Sequence, residues 1–393
     1  MPVLRLKAQY LSCGSFDRQT NGLMFAGGKL CSAPMAKGPP IHYASYLKLD
    51  RLLSLQEPES ARHGRPAHDE TLFIIVHQVY ELWFKQFLHE IDSVRSLFRQ
   101  DRVAERDMGL AASRLHRVAE IAKLLIDQLS ILETMTPLDF LDFRDLLSPA
   151  SGFQSIQFHD LEMKFGVQLD PAQMEHRQRN LGSTRADSAA DVNPSLFTLV
   201  ERWLERTPFL DFRGFNFWSA YRSAVTAMLE RDEKAIATHP SLSDSDKEQE
   251  KRELAKTRES FDALLDKERH DDLVKKKHRR LSHKATQAAL LIHLYRDQPA
   301  FHVPFRLLTT LVDIDELLAS WRHRHALMAF RMIGTKIGTG GTSGYGYLRS
   351  TVESRKVFTD LANLATFLIP RSALPSLPEH VEKSLGFAFE GSA

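Results

Sequence analysis

Between Asp69 and Gln100 the chain contains neither proline nor glycine, so nothing in that stretch breaks a helix. Leu72, Ile75, Val79, Leu82, Phe87, Ile91 and Val94 recur at helical spacing. Phe73, His77, Tyr80 and Phe84 form a second stripe on another face. A helix that is apolar on both faces must be packed on more than one side. Asp69 and Glu70 at its start suit the positive end of the helix dipole.

Helical signals fill most of the remaining chain. Residues 105 to 135 repeat the pattern, with Leu115, Val118, Ile121, Leu125 and Leu129 inward. Pro137, Pro149 and Ser151-Gly152 interrupt the stretch from Leu132 to Phe158. Residues 168 to 194 are polar and read as a loop. Helices are expected at Ser195–Arg206, 247–275, His283–Tyr295, Leu307–Ile333 and Ser350–Leu368. No alternating strand pattern and no internal repeat is found. The class is all-α, a helix bundle with one inserted charged helical module. Residues 1–40 read as a disordered leader, with Arg5, Lys7 and Arg18 also compatible with organelle transit. Residues 41–227 and 283–371 form the two parts of the main helical domain. Residues 228–282 form the charged insertion and 372–393 a proline-spaced tail.

With 393 residues, 43% hydrophobic and 26% charged, the chain has the composition of a soluble globular protein. A formal net charge of +2 gives no electrostatic case for nucleic acid or an anionic membrane as the main partner. Cys13 and Cys31, the only cysteines, both lie in the leader. A main body without disulfides fits a reducing, cytoplasmic compartment. Phosphate-binding glycine motifs, H-E-x-x-H, C-x-x-C and the paired Glu-x-x-His of di-iron bundles are all absent. For an all-α protein with buried histidines, that leaves a large cofactor such as haem, or none.

Four features carry candidate chemistry. His325 has Trp321 four residues before it and Met328 three after. A neutral imidazole on such a face can ligate haem iron, with Trp321 packing beside it, or be a core histidine satisfied by a hydrogen bond. His77 lies mid-helix one turn after Phe73 and must be hydrogen-bonded or functional, because an unpaired buried imidazole costs roughly 1–3 kcal/mol. Arg144 shares a helical face with Phe140, and such an arginine can hold a carboxylate in a fork or pair with a neighbouring aspartate. The glycine-rich loop containing Thr339 follows the His325 helix and can close over a pocket or act as a plain linker. The basic run Lys275–Arg280 reads as a solvated helix end more readily than as an RNA contact.

These stretches, taken together, resemble tryptophan 2,3-dioxygenases. The resemblance rests on His68-Asp69-Glu70, on Leu72 through Lys85, and on Leu132-Glu133-Thr134-Met135-Thr136-Pro137. It also rests on Phe143-Arg144 and on Ser148 through Ser155, and it continues through Trp203–Pro208 and Gly214–Trp218 to the His325 helix and its loop. It spans about Tyr43 to Arg371, and the branch it resembles is the animal type. It implies a bundle enclosing a b-type haem, one per subunit, in a homotetramer built as a dimer of dimers. The implied reaction opens the indole ring of L-tryptophan with O2 to give N-formyl-L-kynurenine, the first step of the kynurenine pathway. By position, His325 is the expected axial ligand, in preference to His323, and His77 the expected distal histidine. Phe73, Phe140 and Leu147 would wall the indole. Arg144 would clamp the carboxylate, and Thr339 would bind the amino-acid end. Tyr43 and Tyr46 would reach a neighbouring subunit's pocket, with Ser151 and Gly152 at the haem edge. His159 stands where an arginine is common, which puts one source of propionate neutralisation in doubt. A same-fold oxygenase acting on a modified indole, and a cofactor-free helical scaffold with a basic RNA-binding patch, are the alternatives.

Overall fold

The computed structural model describes residues 40–181, 194–336 and 344–386, and among them the protein is all-α apart from one two-stranded hairpin. The chain divides into two units, Met1–Leu55 and Gln56–Ala393. The described part of the first unit holds two short helices, Tyr43–Leu47 and Leu49–Leu52, hinged at Lys48 in the left-handed region. Neither helix buries a residue.

Three long helices form the trunk of the second unit: Glu70–Phe98, Glu105–Asp127 and Pro299–Ile333. The middle one packs against both others. In Glu70–Phe98 the buried ridge is Val76, Tyr80, Phe84, Phe87, Ile91 and Val94. Phe84 and Tyr80 of the second stripe are fully used, whereas Ile75 and Leu82 of the first are 43% and 51% exposed. The helix starts where Glu70 is buried, its carboxylate accepting the backbone N–H groups of Glu59 and Ser60 at 2.8 and 2.9 Å.

Several boundaries differ from the sequence-based expectation, each for a local reason. Pro137 does not break a helix but begins one, Pro137–Arg144, because Thr136 and Asp139 form a capping box around it. The last long helix begins at Pro299 and not at Leu307, since a proline in the first turn forfeits no helical bond; Pro304 lies inside it. Residues Pro171–Leu181 are helical where a loop is expected, and 182–193 lie outside the described residues. The hairpin pairs Asp211 with Asn216 and Phe212 with Phe215. Its two turn residues, Arg213 and Gly214, both have positive φ, the geometry that two-residue hairpins favour. The expected tail carries a helix, Glu379–Leu385, with Val381 and Leu385 buried.

The charged segment begins inside a helix, Phe217–Thr238, and continues as Asp244–Leu265 and Lys267–Lys275. Phe261, Leu264 and Leu265 dock it through apolar burial. The basic run ends turned inward. The Arg280 guanidinium lies 4.0 Å from the centre of the Phe197 ring and donates to the Gly166 carbonyl at 2.7 Å. Gly166 closes the helix Ile156–Phe165 at a φ of +124°, and a Cβ there would meet Phe197 at 2.7 Å, so only glycine fits. Arg280→Ala is therefore expected to lower stability by about 2–4 kcal/mol, measured by denaturant unfolding. Exposed Lys276→Ala should leave the midpoint unchanged. Equal effects of the two would show that Arg280 is not structural.

Candidate active site

Helix Glu70–Phe98 presents Phe73, His77 and Glu81 to a cavity of about 300 Å³ in the second unit, and helix Pro299–Ile333 presents Trp321, His325 and Met328. The capped helix Pro137–Arg144 adds Phe140 and Arg144, and the turn after it adds Ser151 and Gly152. All of these except Glu81 and Met328 are residues that the sequence singles out.

Phe73 is the hub of the aromatic wall. Its ring lies 4.1 Å from His77, 5.5 Å from Phe140 and 5.6 Å from Phe143, measured between centroids. His77 Nδ1 lies 2.7 Å from the Phe73 carbonyl oxygen. A carbonyl only accepts, so Nδ1 carries the proton and Nε2 is left as an acceptor. Burial pushes the His77 pKa down, against weaker upward pulls from the Phe73 carbonyl and Glu81. His325 stacks on Trp321 at 5.1 Å with the rings 16° from parallel. Burial, reinforced by His77, lowers its pKa to about 4. Its ring counts as half-buried by surface exposure because it borders the cavity. At neutral pH both imidazoles are therefore uncharged. Among the described residues no hydrogen bond is made to His325.

Beneath these residues lies a buried ion cluster. Arg322 and Arg355 donate to the two carboxylate oxygens of Glu162 at 3.1 and 2.9 Å, and all three side chains are at most 6% exposed. The cluster carries one net positive charge. Arg355 also donates to the Tyr347 hydroxyl at 3.3 Å. His159 borders the cavity, donates Nε2–H to the Phe153 carbonyl at 2.9 Å, and is kept neutral-leaning by burial.

A haem-type group fits this donor set. Such a group needs a neutral imidazole with a free ring nitrogen in a largely apolar chamber, and His325, whose ring makes no hydrogen bond among the described residues, could supply it. Among the described residues no three His, Cys, Asp or Glu side chains converge to hold a bare metal ion.

Leu147 packs against the core from a short turn but does not line the cavity. Tyr43 and Tyr46 belong to the first unit and are 74% and 70% exposed. Thr339 lies outside the described residues. Sequence reasoning missed Glu81, Glu162, Arg322 and Arg355. Glu81 was findable, since it follows His77 by one helical turn. Its carboxylate accepts from Ser155 Oγ at 2.5 Å and Gln157 Nε2 at 2.7 Å, tying the cavity edge to the helix. The Glu162 pairs span 160 and 193 positions, and no local spacing announces them.

The sequence matches the family profile of tryptophan 2,3-dioxygenase over residues 32–368. The chain belongs to the tryptophan 2,3-dioxygenase family. It is 50% identical over 356 residues to the tryptophan 2,3-dioxygenase of Dictyostelium discoideum, covering 89% of each chain. It is 49% identical to that of Bdellovibrio bacteriovorus, over 90% of this chain and 100% of the relative. Tryptophan 2,3-dioxygenase B of Danio rerio is 50% identical over 88% of this chain and 86% of its own. Every tryptophan 2,3-dioxygenase position lining the cavity, from Phe73 to Arg355, falls within the matched span.

The ion cluster gives a direct stability test. Glu162→Ala leaves two buried guanidiniums facing each other and should cost about 3–5 kcal/mol, read from denaturant unfolding. A loss under about 1 kcal/mol would mean that water reaches the cluster.

Proposed function

We propose that this chain is a haem-dependent oxidoreductase that opens the C2–C3 bond of the L-tryptophan indole with O2, giving N-formyl-L-kynurenine. One oxygen atom ends on C2 as the formyl group and the other on C3 as the ketone, so no external reductant is consumed per turnover. The observation that carries the reading is His325, neutral and without a hydrogen bond among the described residues, bordering the same cavity as His77. Family membership supports the substrate.

His325, its ring stacked on Trp321, would hold the iron. Once bound, ferrous haem supplies the oxygen chemistry. The protein supplies orientation and dryness. Phe73 and Phe140, stacked on each other, would wall one side of the flat indole, with Ser151 and Gly152 at the cofactor edge. His77, its only proton committed to the Phe73 carbonyl, would accept a hydrogen bond from the indole N–H and position the ring. Arg144 would take the substrate carboxylate. Thr339 is proposed to bind the amino-acid end from the loop that follows.

The homotetramer is proposed on the same footing. Tyr43, Tyr46 and Leu53 in the first unit, and Leu82, Ile131 and Leu138 in the second, are large apolar side chains left exposed. Such surfaces are what neighbouring copies cover. No described helix is long and apolar enough to cross a membrane, and a cytoplasmic location is proposed from the composition.

The test is an absorption spectrum of protein expressed with added haem, then reduced and given L-tryptophan in air. A Soret band followed by N-formylkynurenine absorbance is expected. A Soret band without product would move the substrate to another indole, and no Soret band would sink the His325 assignment. His325→Ala should abolish haem retention. Arg144→Leu should retain haem but raise the KM for tryptophan at least about tenfold, the loss of one charge-assisted bond of about 1.5–3 kcal/mol. An unchanged KM would remove the clamp.

A further inference from the structure

A second group of buried titratable side chains lies outside the cavity and takes no part in the chemistry above. His270, on helix Lys267–Lys275, is fully buried at 0% exposure. Its Nε2 lies 2.9 Å from the Leu281 carbonyl oxygen, which can only accept, so Nε2 carries the proton. Its Nδ1 lies 2.8 Å from Nη1 of Arg279, a permanent donor. Nδ1 must therefore offer a bare lone pair. His283, the first residue of helix His283–Leu294, is wired the same way. Its Nε2 is 3.1 Å from the Leu264 carbonyl and its Nδ1 is 3.4 Å from Gln287 Nε2. The two rings meet edge to face at 5.1 Å, and Trp218 closes over His283 at 5.4 Å.

Each imidazole is thus held as a single neutral tautomer. A second proton on His270 would place an N–H against the Arg279 N–H and set two cations side by side. The surrounding charges do not rescue it. Arg279 and His283 oppose a charge on His270, while Asp360 and the adjacent Asp271 favour it. Around His283, Asp271 favours the charge while Lys267 and Arg279 oppose it.

We propose that His270 and His283 form an acid-sensitive latch that holds helix Lys267–Lys275 against residues 279–281, which Arg280 and the Asp360 carboxylate pin to the body of the protein. Protonation breaks the Arg279–His270 bond and frees this helix. The preceding helix stays docked, because Phe261, Leu264 and Leu265 hold it through apolar burial that does not titrate. Burial lowers both imidazole pKa values below the ordinary 6.5. The opened state therefore binds more protons. The latch is at full strength above about pH 6.5 and weakens as pH falls through the lowered values.

Hydrogen exchange of the full-length protein, corrected for the intrinsic pH dependence of exchange, tests this. Peptides covering 267–275 should lose protection by about tenfold per pH unit once the latch titrates. Peptides from Glu70–Phe98 should stay protected. In His270→Gln the amide can donate to Leu281 and accept from Arg279 without titrating. Protection in this variant should persist and lose its pH dependence. Equal pH responses in wild type and variant, or no response in wild type, overturn the latch. Should His270→Gln be unprotected at every pH, His283→Gln decides. Its pH response must be smaller than that of wild type, and an equal response overturns the proposal.

Discussion

Glu162 sits between two guanidiniums, and much of the second unit depends on that contact. Arg322 comes from the long helix that carries His325, and Arg355 follows the helix that begins at Gly344. Glu162 itself lies on the helix that starts at the cavity edge. One buried carboxylate therefore fixes three segments together directly below the cavity. Removing one partner of an ion pair this dry leaves an uncompensated buried charge. The Tyr347 hydroxyl takes one further bond from Arg355, while Arg322 Nε and Nη1 and Arg355 Nε have no hydrogen-bond partner among the described residues. Nearby, Asp315 accepts the backbone N–H groups of Val357 and Phe358 at 2.8 Å each, fixing the chain immediately beyond Arg355.

The cavity is lined by rings and charges together. Phe73, Phe140, Phe143 and His77 make a continuous aromatic cluster. Desolvation keeps His325 and His77 uncharged at neutral pH. Arg144, Arg322 and Arg355 line the same cavity. A ligand with one flat apolar end and one charged end matches that lining. The family to which the chain belongs acts, by its name, on a molecule of this kind.

The long helices were legible in sequence because their buried faces repeat. The Glu70–Phe98 ridge and the stripe beginning at Leu115 follow directly from the 3.6-residue period. His77, Phe73, Phe140 and Arg144 were legible as face-sharing pairs. What was not legible has physical reasons. Helix Pro171–Leu181 is polar, so it shows no stripe. Pro137 reads as a break until its capping box is recognised. The first apolar stripe of Glu70–Phe98 promises more burial than Ile75 and Leu82 receive in a single chain. Arg280 looks like part of a solvated basic run, yet it is anchored on Gly166 and Phe197, far away in sequence. Contacts between distant positions leave no periodic trace, and the Glu162 cluster is the clearest case.

The separation of the cavity walls along the chain also sets an order in time. His77 and Phe73 leave the ribosome well before His325 and Arg355. The chamber cannot close until Arg355 has been made, because the Glu162 pairs join positions 160 and 193 residues apart. Non-local contacts of this kind form late and slowly. In the interval, the Glu70–Phe98 helix has apolar surface on two sides and its final partner is missing. Nascent chains at that stage are the vulnerable ones, and the cavity lined by His77 and His325 is complete only once Arg355 has emerged.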